Sequence, residues 1–258
     1  MSKLLKVACL IGAAQGFGAC GGGVDDPCPT NDCELKGRTT IKWTLDAYPD
    51  RGFAMDSCAD FGVWKVSVDL VGANGVVTSG RDDCGVAQAT FSGLEPGDYD
   101  VYVMPLDAGG TPLLLNPIIG KVTAGTVEQP QETTINVPWD QWIGTFTGTY
   151  LFRLSWGGLS CEQAMPEVKN QTLTLTVNGV VQNLVTDDGQ MLNGSDKKPC
   201  KKLSDNFPQS ALDVAFGPAT LLVEGFDATD NMMFSKQFDT FVGAGITNPT
   251  LMFDVPLQ

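Results

Sequence analysis

Short segments of alternating apolar and polar residues, separated by turn residues, recur from residue 37 to the end of the chain. VWKVSVDLV at 63–71 and QTLTLTVNGVV at 171–181 both alternate with a period of two, and both run into a Gly/Asn turn. That period places successive side chains on opposite faces of a β-strand. The chain also holds 30 Gly and 15 Pro, which favour short strands joined by turns. The sequence therefore predicts an all-β fold.

The same order of features occurs twice along the chain. Each half opens with a strand rich in aromatic and aliphatic residues, IKWTL at 41–45 and YLFRLSW at 150–156. In each half a cysteine, an alternating strand and a second cysteine in a polar loop then follow. Self-similarity of this kind is typical of tandem domains. We therefore predict a first domain at 37–138, a linker at 139–143 and a second domain at 144–258.

The N-terminus has the features of a secretory signal peptide. Two lysines in MSKLLK precede the short apolar stretch VACLIGAA, and small residues lead into Cys20. The ending Phe17-Gly18-Ala19-Cys20 resembles the lipobox of bacterial lipoproteins, although Phe17 stands where Leu is usual. The resemblance implies a signal peptide at 1–19 and lipidation of Cys20, with Gly21 implying sorting to the outer membrane. The alternative is ordinary cleavage that leaves Cys20 free.

Residues 20–36 form a Gly-rich, acidic stretch that predicts a flexible tether behind the lipid.

Six cysteines lie beyond Cys20, an even number that suits three disulfides in an oxidising compartment. The five-residue spacing in CPTNDC predicts a local Cys28–Cys33 loop. Since each half carries one further pair in the same order, we predict the disulfides Cys58–Cys84 and Cys161–Cys200.

The first half divides into seven predicted strands, which suggest a two-sheet sandwich: 38–46, 63–71, 75–80, 86–92, 98–106, 113–123 and 132–138. Within it, FSGLEPGDYDVYV at 91–103 resembles the carboxypeptidase-regulatory-like or transthyretin-like β-sandwich, in which L-x-P-G-x-Y-x-V joins two strands across one end. The resemblance implies a turn at Pro96 and Gly97 closed by Tyr99. The second half keeps Pro218 but has Ala219 in place of Gly. The expected fold is two tandem immunoglobulin-like or transthyretin-like sandwiches, a family used for accessory or binding modules.

Charge and composition exclude several functions. The formal net charge is −14, which would repel a phosphate backbone, so nucleic acid is not an expected partner. The chain has no histidine, which removes Ser-His-Asp and Cys-His nucleophiles and every His-containing metal site. Chemistry based on carboxylates alone and metal sites built from oxygen ligands remain open.

Two sets of residues are candidate binding sites. Trp139 and Trp142, beside Asp140 and Gln141, are suited to stacking on a sugar ring; the alternative is that both indoles fill the seam between the two sandwiches. A polar loop offers hard oxygen ligands for calcium, although its spacing does not match an EF-hand. The alternative for this loop is an ordinary chain reversal. Its candidate ligands are Asp187, Asp188, Asn193 and Asp196.

One dense basic cluster, KKPCKK at 197–202, stands out on this acidic chain. It has the charge to bind anionic lipid headgroups, or alternatively to balance the acidic loop that precedes it.

The sequence as a whole predicts a non-catalytic binding or structural module of the cell envelope, held to the membrane through the lipid on Cys20. Its expected partner is an envelope protein or a glycan, and no cofactor is expected. The alternative is a carboxylate-dependent extracellular glycan hydrolase.

Overall fold

The computed structural model describes residues 36–49, 56–126, 129–201 and 208–257. The predicted signal peptide at 1–19, the lipidation site Cys20 and the Cys28–Cys33 loop lie outside these residues. The described chain is nearly all β, which confirms the predicted fold class. The α-helix described, α1, is a single short segment, and none of the described residues form a helix long and apolar enough to cross a bilayer.

Seven strands and α1 build the first sandwich. α1 lies between the first two strands. The elements are β1 (Gly37–Leu45), α1 (Asp56–Asp60), β2 (Lys65–Gly72), β3 (Val77–Asp83), β4 (Gln88–Leu94), β5 (Asp98–Leu106), β6 (Ile118–Thr123) and β7 (Gln131–Val137).

These strands form two sheets with the orders β4-β1-β7 and β3-β2-β5-β6. β1 pairs antiparallel with β4 and parallel with β7, with Thr39 opposite Gln131 and Leu45 opposite Val137. β2 and β5 pair antiparallel at the centre of the other sheet. Their alternation directs Val66, Val68 and Leu70 inward, where the two sheets pack face to face and bury them completely.

Eight strands build the second sandwich. Two of them, β10 and β11, are two-residue segments that both pair antiparallel with β9. The elements are β8 (Thr147–Trp156), β9 (Asn170–Val177), β10 (Val180–Val181), β11 (Lys198–Pro199), β12 (Gln209–Ala215), β13 (Gly217–Phe226), β14 (Met232–Val242) and β15 (Thr250–Val255).

The strand order of the second sandwich matches that of the first. β8 lies between an antiparallel β12 and a parallel β15, as β1 lies between β4 and β7. The facing sheet has the order β10-β9-β13-β14, with β9 and β13 antiparallel at its centre. Leu173, Leu175 and Trp156 are buried between the two sheets.

All seven strands predicted for the first half are present, with one substantial change of boundary. The sixth begins at Ile118 rather than residue 113. Residues 107–117 form a loop instead, because Pro112 and Pro117 have no backbone N–H to donate to a ladder. Tyr99 is nearly buried, and its hydroxyl donates to the carbonyl of Glu95 at 2.8 Å, so it closes the turn that contains Pro96.

The two disulfides predicted for the described chain are confirmed. Cys58 at α1 is bonded to Cys84 after β3, with 6.0 Å between their Cα atoms. Cys161 is bonded to Cys200 in the second sandwich, with 6.2 Å between Cα atoms. Each bridge therefore ties the segment after the opening strand to a residue beyond the second strand: Cys84 directly follows β3, and Cys200 directly follows β11.

Candidate functional site

Trp142 lies in the linker between the sandwiches and packs into the first core. Its indole stacks on Phe61, with 4.0 Å between ring centroids and 10° between ring planes. Phe61 follows α1 and is 2% exposed. The backbone N–H of Ile143 donates to the carbonyl of Leu113 at 2.9 Å, which fixes the linker against the loop before β6. One face of the Trp142 indole is therefore covered by protein.

Aromatic rings from the second sandwich surround this stacked pair. Phe146 and Phe216 meet the ring of Phe61 edge-on, at centroid distances of 5.0 and 5.5 Å. Edge-to-face pairs of this kind add to the free energy gained by burial. Trp139 and Tyr48 both pack edge-on against Phe241, a third ring of the second sandwich. We name the whole set the aromatic junction: Tyr48, Phe61, Trp139, Trp142, Phe146, Phe216 and Phe241.

A tight loop between β14 and β15 completes the contact between the sandwiches. Ala244 is fully buried in the first core, and its N–H donates to the carbonyl of Ala47 at 3.0 Å. Gly245 has φ of +75°, and a Cβ built on it would lie 1.7 Å from Oδ1 of Asp60 in α1. The Asn248 amide donates to the carbonyls of Gly243 and Gly245, at 3.0 and 3.1 Å, and so holds the loop in this shape.

The structure therefore places both candidate indoles in the seam between the sandwiches. Trp139 packs against Phe241, with 5.0 Å between ring centroids, and Trp142 packs against Phe61. Both side chains are half-buried. Of the two interpretations that the sequence leaves open, the packing favours the seam, and a ligand-binding role for these indoles stays a prediction.

The carboxylates at the start of the candidate calcium loop accept hydrogen bonds from the protein. Asp187 accepts from the backbone N–H of Ser210 at 3.0 Å. Asp188 accepts from the Gln209 amide at 3.0 Å, and its carboxylate lies 3.9 Å from Nζ of Lys201. These contacts tie the loop to β12 and to the end of the basic cluster.

The remaining two candidate ligands also have protein partners. The side-chain oxygen of Asn193 accepts from the N–H and the hydroxyl of Ser195, at 3.0 and 2.6 Å. Asp196 lies 3.6 Å from Nζ of Lys198. Within the ranges that the structure describes, no three His, Cys, Asp or Glu side chains are gathered where they could hold a metal ion. A calcium site in this loop stays a prediction.

The basic cluster is paired with acidic side chains where it is described. Lys197 lies 2.6 Å from the Asp230 carboxylate and 3.6 Å from the centre of the Phe226 ring. Lys198 and Lys201 pair with Asp196 and Asp188, as given above. The contacts therefore favour charge balance, with the preceding loop for Lys198 and Lys201 and with the turn after β13 for Lys197.

Within the described part of the chain, three carboxyl groups have a pKa shifted downward. Hydrogen bonds from Asn231 and Thr229 lower the pKa of Asp227 to about 2. A backbone hydrogen bond from Thr111 lowers the pKa of Asp107, which closes the corresponding turn of the first sandwich. Asp254 has its pKa lowered mainly by the Ser155 hydroxyl. Asp107 and Asp227 accept these hydrogen bonds within turns, and Asp254 accepts them near the end of β15. A lowered pKa is the opposite of the raised pKa that a general acid requires.

Several residues of the aromatic junction were not anticipated from the sequence. Phe61, Phe216 and Phe241 are each an ordinary apolar residue of a strand or helix end in the sequence pattern. The signal available was the sequence GAG at 243–245, because glycines beside alanine in a loop are typical of close backbone approach. That signal indicates a closely packed site but does not identify the residues that pack against it.

No family model and no curated protein matches this chain. Among solved structures, a leucine-rich repeat protein from Bacteroides thetaiotaomicron is 14% identical with a TM-score of 0.27; the match covers 87% of this chain but only 26% of that protein's length. The major pilin subunit of Bacillus cereus is 11% identical, with a TM-score of 0.28 and 81% and 69% of the two chains covered. A fimbrial anchor protein from Porphyromonas gingivalis is 10% identical, with a TM-score of 0.27 and coverages of 77% and 81%. Because these TM-scores are all below 0.3, the architecture of this chain is described from its own strand pairing alone.

Proposed function

We propose that this chain is a lipid-anchored module that presents two rigidly joined β-sandwiches at a bacterial cell envelope, in a structural or binding role without catalysis. The observation that carries the proposal is the aromatic junction. Two domains joined by a flexible linker move independently, whereas a large apolar contact fixes their relative orientation. Here Phe61 in the first core contacts Phe146 and Phe216 from the second sandwich. The chain is therefore suited to present the surfaces of both sandwiches in a fixed relative orientation at the end of its tether.

The anchor itself is proposed from the sequence. The residues at 17–20 resemble a lipobox, and the Gly-rich stretch after Cys20 supplies a tether. Two disulfides in the described chain fit an oxidising, extracytoplasmic compartment. We place the module at the outer membrane, on its periplasmic face or at the cell surface, with an envelope protein or a glycan as its partner.

The two sandwiches are proposed to be tandem copies of one transthyretin-like design. They share the strand order described above, and the turn after the fifth strand of the first has a counterpart in the second. In one, Asp107 accepts from the N–H groups of Gly109 and Thr111; in the other, Asp227 accepts from those of Thr229 and Asn231. Equivalent turns at equivalent places support a common design, and such a design suits a structural module.

A carboxylate-dependent glycan hydrolase is the less favoured function. Such an enzyme needs one carboxylic acid with a raised pKa beside a second carboxylate. Asp107, Asp227 and Asp254 instead have a lowered pKa, and each is held in a turn or strand end. The chain also has no histidine to act in place of a carboxylic acid.

The anchoring is tested by metabolic labelling with a fatty acid in a bacterial host. We expect the full chain to take up the label and to fractionate with membranes, and Cys20→Ala to lose both properties. Cys9→Ala, which changes a cysteine within the predicted signal peptide, is the matched control and should be labelled normally. An unlabelled wild-type chain, or label that persists in Cys20→Ala, would overturn the proposed anchor.

The absence of catalysis is tested separately with the purified chain and a panel of envelope and extracellular polysaccharides. We expect no release of reducing ends from any of them. Affinity capture from envelope extracts is expected to retain a protein or a glycan. Turnover of any polysaccharide would replace the proposed binding role with a hydrolase.

A further inference from the structure

The four-stranded sheet of the first sandwich carries an open groove on its solvent side. The strands of this sheet are β3, β2, β5 and β6 in spatial order. Val66, Val68 and Leu70 of β2 point into the core, so the residues that alternate with them point to solvent. The groove has a volume of about 480 Å³ and is bordered on one side by the loop at 107–117. We name this surface the outer face and define it by Asp69, Val77, Arg81, Tyr102, Met104 and Ile119.

The apolar side chains of the outer face can be reached from solvent. Tyr102 on β5 lies directly opposite Ile119 on β6, and Met104 is the next outward residue of β5. Val77 is 54% exposed and Ile119 is 62% exposed, while Tyr102 and Met104 are partly exposed. Tyr102, Met104 and Ile119 are neighbours on adjacent strands and so form one apolar patch. A partner can cover this patch without rearranging the sheet.

Two ion pairs lie at the ends of the outer face. Lys65 on β2 is directly opposite Asp83 on β3, with 4.0 Å between Nζ and the carboxylate. At the other end Lys121 on β6 is directly opposite Asp100 on β5, with 3.7 Å between the charged groups. Side chains of neighbouring strands meet at directly opposite positions of a ladder. These four charges are therefore balanced within the chain.

Two charged side chains between these ion pairs are left unpaired. Arg81 on β3 is exposed and lies opposite Ser67, and Asp69 on β2 is partly exposed and lies opposite Ser79. Neither Arg81 nor Asp69 forms an ion pair or a side-chain hydrogen bond with any residue that the structure describes. Both line the groove. The outer face therefore offers one free cation and one free carboxylate on neighbouring strands.

This arrangement of charge is self-complementary. In a two-fold dimer the same surface of both copies is in contact, so each contact between two different residues occurs twice. A two-fold axis that lies in the plane of contact and passes between Arg81 and Asp69 places Arg81 of each copy opposite Asp69 of the other. All four charges are then paired. An apolar partner would instead cover both groups without a counter-charge, which costs free energy.

The size of the outer face sets the strength of such a dimer. The sheet has four strands, and its edge strand β3 is seven residues long. At about 4.8 Å between strands and about 3.4 Å per residue, the face measures roughly 19 by 24 Å. Two such faces bury roughly 900 Å² in total, which is below the standard size of a stable interface and typical of weak ones. The dimer is therefore expected to be weak and to depend on concentration.

We propose that the outer face binds the same face of a second copy of this chain, as a weak two-fold dimer. Two ion pairs between Arg81 and Asp69 link the copies, and the apolar patch of each copy is covered by its partner. The inference is independent of the proposed anchor, since it rests on the first sandwich alone.

Sedimentation velocity measures the association of the full chain carrying Cys20→Ser, a substitution that removes the proposed lipidation site and the need for detergent. The salt concentration is about 150 mM, at which the Debye length is about 8 Å and the repulsion between two chains of net charge −14 is screened. We expect a monomer–dimer equilibrium with a dissociation constant of about 10 to 100 µM. A chain that sediments as a monomer at all concentrations up to about 500 µM would overturn the proposal.

Charge reversal locates the interface. Arg81→Asp and Asp69→Arg each bring like charges into contact across the dimer, so each should weaken association by at least about 10-fold. An equimolar mixture of the two variants should associate within about 3-fold of the wild type, because the heterodimer contains two pairs of opposite charge. Thermal unfolding of each variant alone establishes that it is folded. Folded variants that stay monomeric when mixed, or a dimer that survives either reversal, would overturn the proposed contact.

Further variants separate the specific contact from net charge. Arg38→Asp on β1 and Asp239→Arg on β14 reverse exposed charges outside the outer face and should leave the dissociation constant unchanged. Tyr102→Ala keeps every charge and should weaken association by about 10-fold. Equal weakening by the control reversals would contradict specific pairing. A monomeric wild type whose Tyr102 and Ile119 NMR resonances shift in an envelope extract would assign the face to another partner and overturn the second copy.

Discussion

The indole of Trp142 lies parallel to the ring of Phe61, with 4.0 Å between their centroids. Phe61 belongs to the first sandwich, and Trp142 to the linker that leads to the second. Phe146 and Phe216 of the second sandwich contact the same Phe61 ring edge-on. Because residues beyond the linker complete the core of the first sandwich, we expect the two sandwiches to be coupled in stability as well as in orientation.

Replacement of Trp142 by alanine should destabilise the chain by about 3 kcal/mol, because it removes the stacked ring and leaves a cavity over Phe61. Trp64→Ala is the matched control, since Trp64 is 61% exposed and its loss should cost less than about 0.5 kcal/mol. Urea unfolding monitored by circular dichroism gives both free energies. Equal effects of the two substitutions would show that the stacked contact contributes nothing to stability.

Gly245→Ala should disturb the contact between the sandwiches, because its Cβ would lie 1.7 Å from the Asp60 carboxylate. Gly75→Ala is a close control: Gly75 has the same φ of +75° and no atom within 4 Å of a built Cβ. Both substitutions carry the cost of a left-handed backbone, so their difference isolates the overpacking. We expect Gly245→Ala to be the more destabilising by about 2 kcal/mol in the same urea assay. A difference near zero would mean that the loop does not pack on α1.

Each disulfide should contribute about 3 to 4 kcal/mol, since it closes a loop of intermediate length in the unfolded chain. The bridges Cys58–Cys84 and Cys161–Cys200 span 26 and 39 residues. Double alanine variants of each pair, compared with the wild type by urea unfolding, measure the two contributions. Non-reducing peptide mapping is the control for pairing, and a bridge between Cys58 and Cys161 would contradict the described connectivity.

The Asp227 turn should make part of the stability dependent on acid pH. Its pKa falls from an ordinary value of 3.8 to about 2, through hydrogen bonds from Asn231 and Thr229. A carboxyl group with a lowered folded pKa stabilises the protein above its unfolded pKa, and that contribution is lost as the pH falls from about 4 to about 2. Titration of the carboxyl carbon by NMR should therefore give a midpoint near the lower value.

Asp227→Asn keeps a side-chain oxygen but cannot titrate, so its melting temperature should fall less than that of the wild type across this pH range. Asp213→Asn, at an exposed left-handed position of β12, is the control for loss of one surface charge. The Asp227 turn would not account for the acid dependence of stability if the pKa of Asp227 in the wild type were near 3.8. The same would follow if the melting temperatures of Asp227→Asn and the wild type fell in parallel as the pH is lowered.

The strands and disulfides were predictable because their signals are local. A period of two over VSVDLV identifies a strand without knowledge of its partners, and the order of cysteines around two such strands fixes their pairing. The aromatic junction was not predictable in the same way. Phe61 and Phe216 lie far apart in the sequence, and each fits its own segment as an ordinary apolar residue. Only the three-dimensional packing shows that they share a contact.

The burial of Gln171, which is 1% exposed on β9, was missed for a related reason. Gln171 precedes the alternating run that contains Leu173 and Leu175, and a glutamine at the start of a strand is usually solvent-exposed. Its burial depends on Gln209 from a different sheet, which no spacing in the sequence connects to it. A polar residue in phase with buried leucines was the available signal.

We infer from the aromatic junction that the two sandwiches form one rigid body. Residual dipolar couplings of the isotopically labelled chain carrying Cys20→Ser test it directly, because each rigid unit reports its own alignment tensor. The aromatic junction predicts that amides of β1–β7 and of β8–β15 fit a single tensor of one orientation and magnitude. Two tensors that differ in magnitude would show independent motion of the sandwiches and contradict the proposed rigid display module.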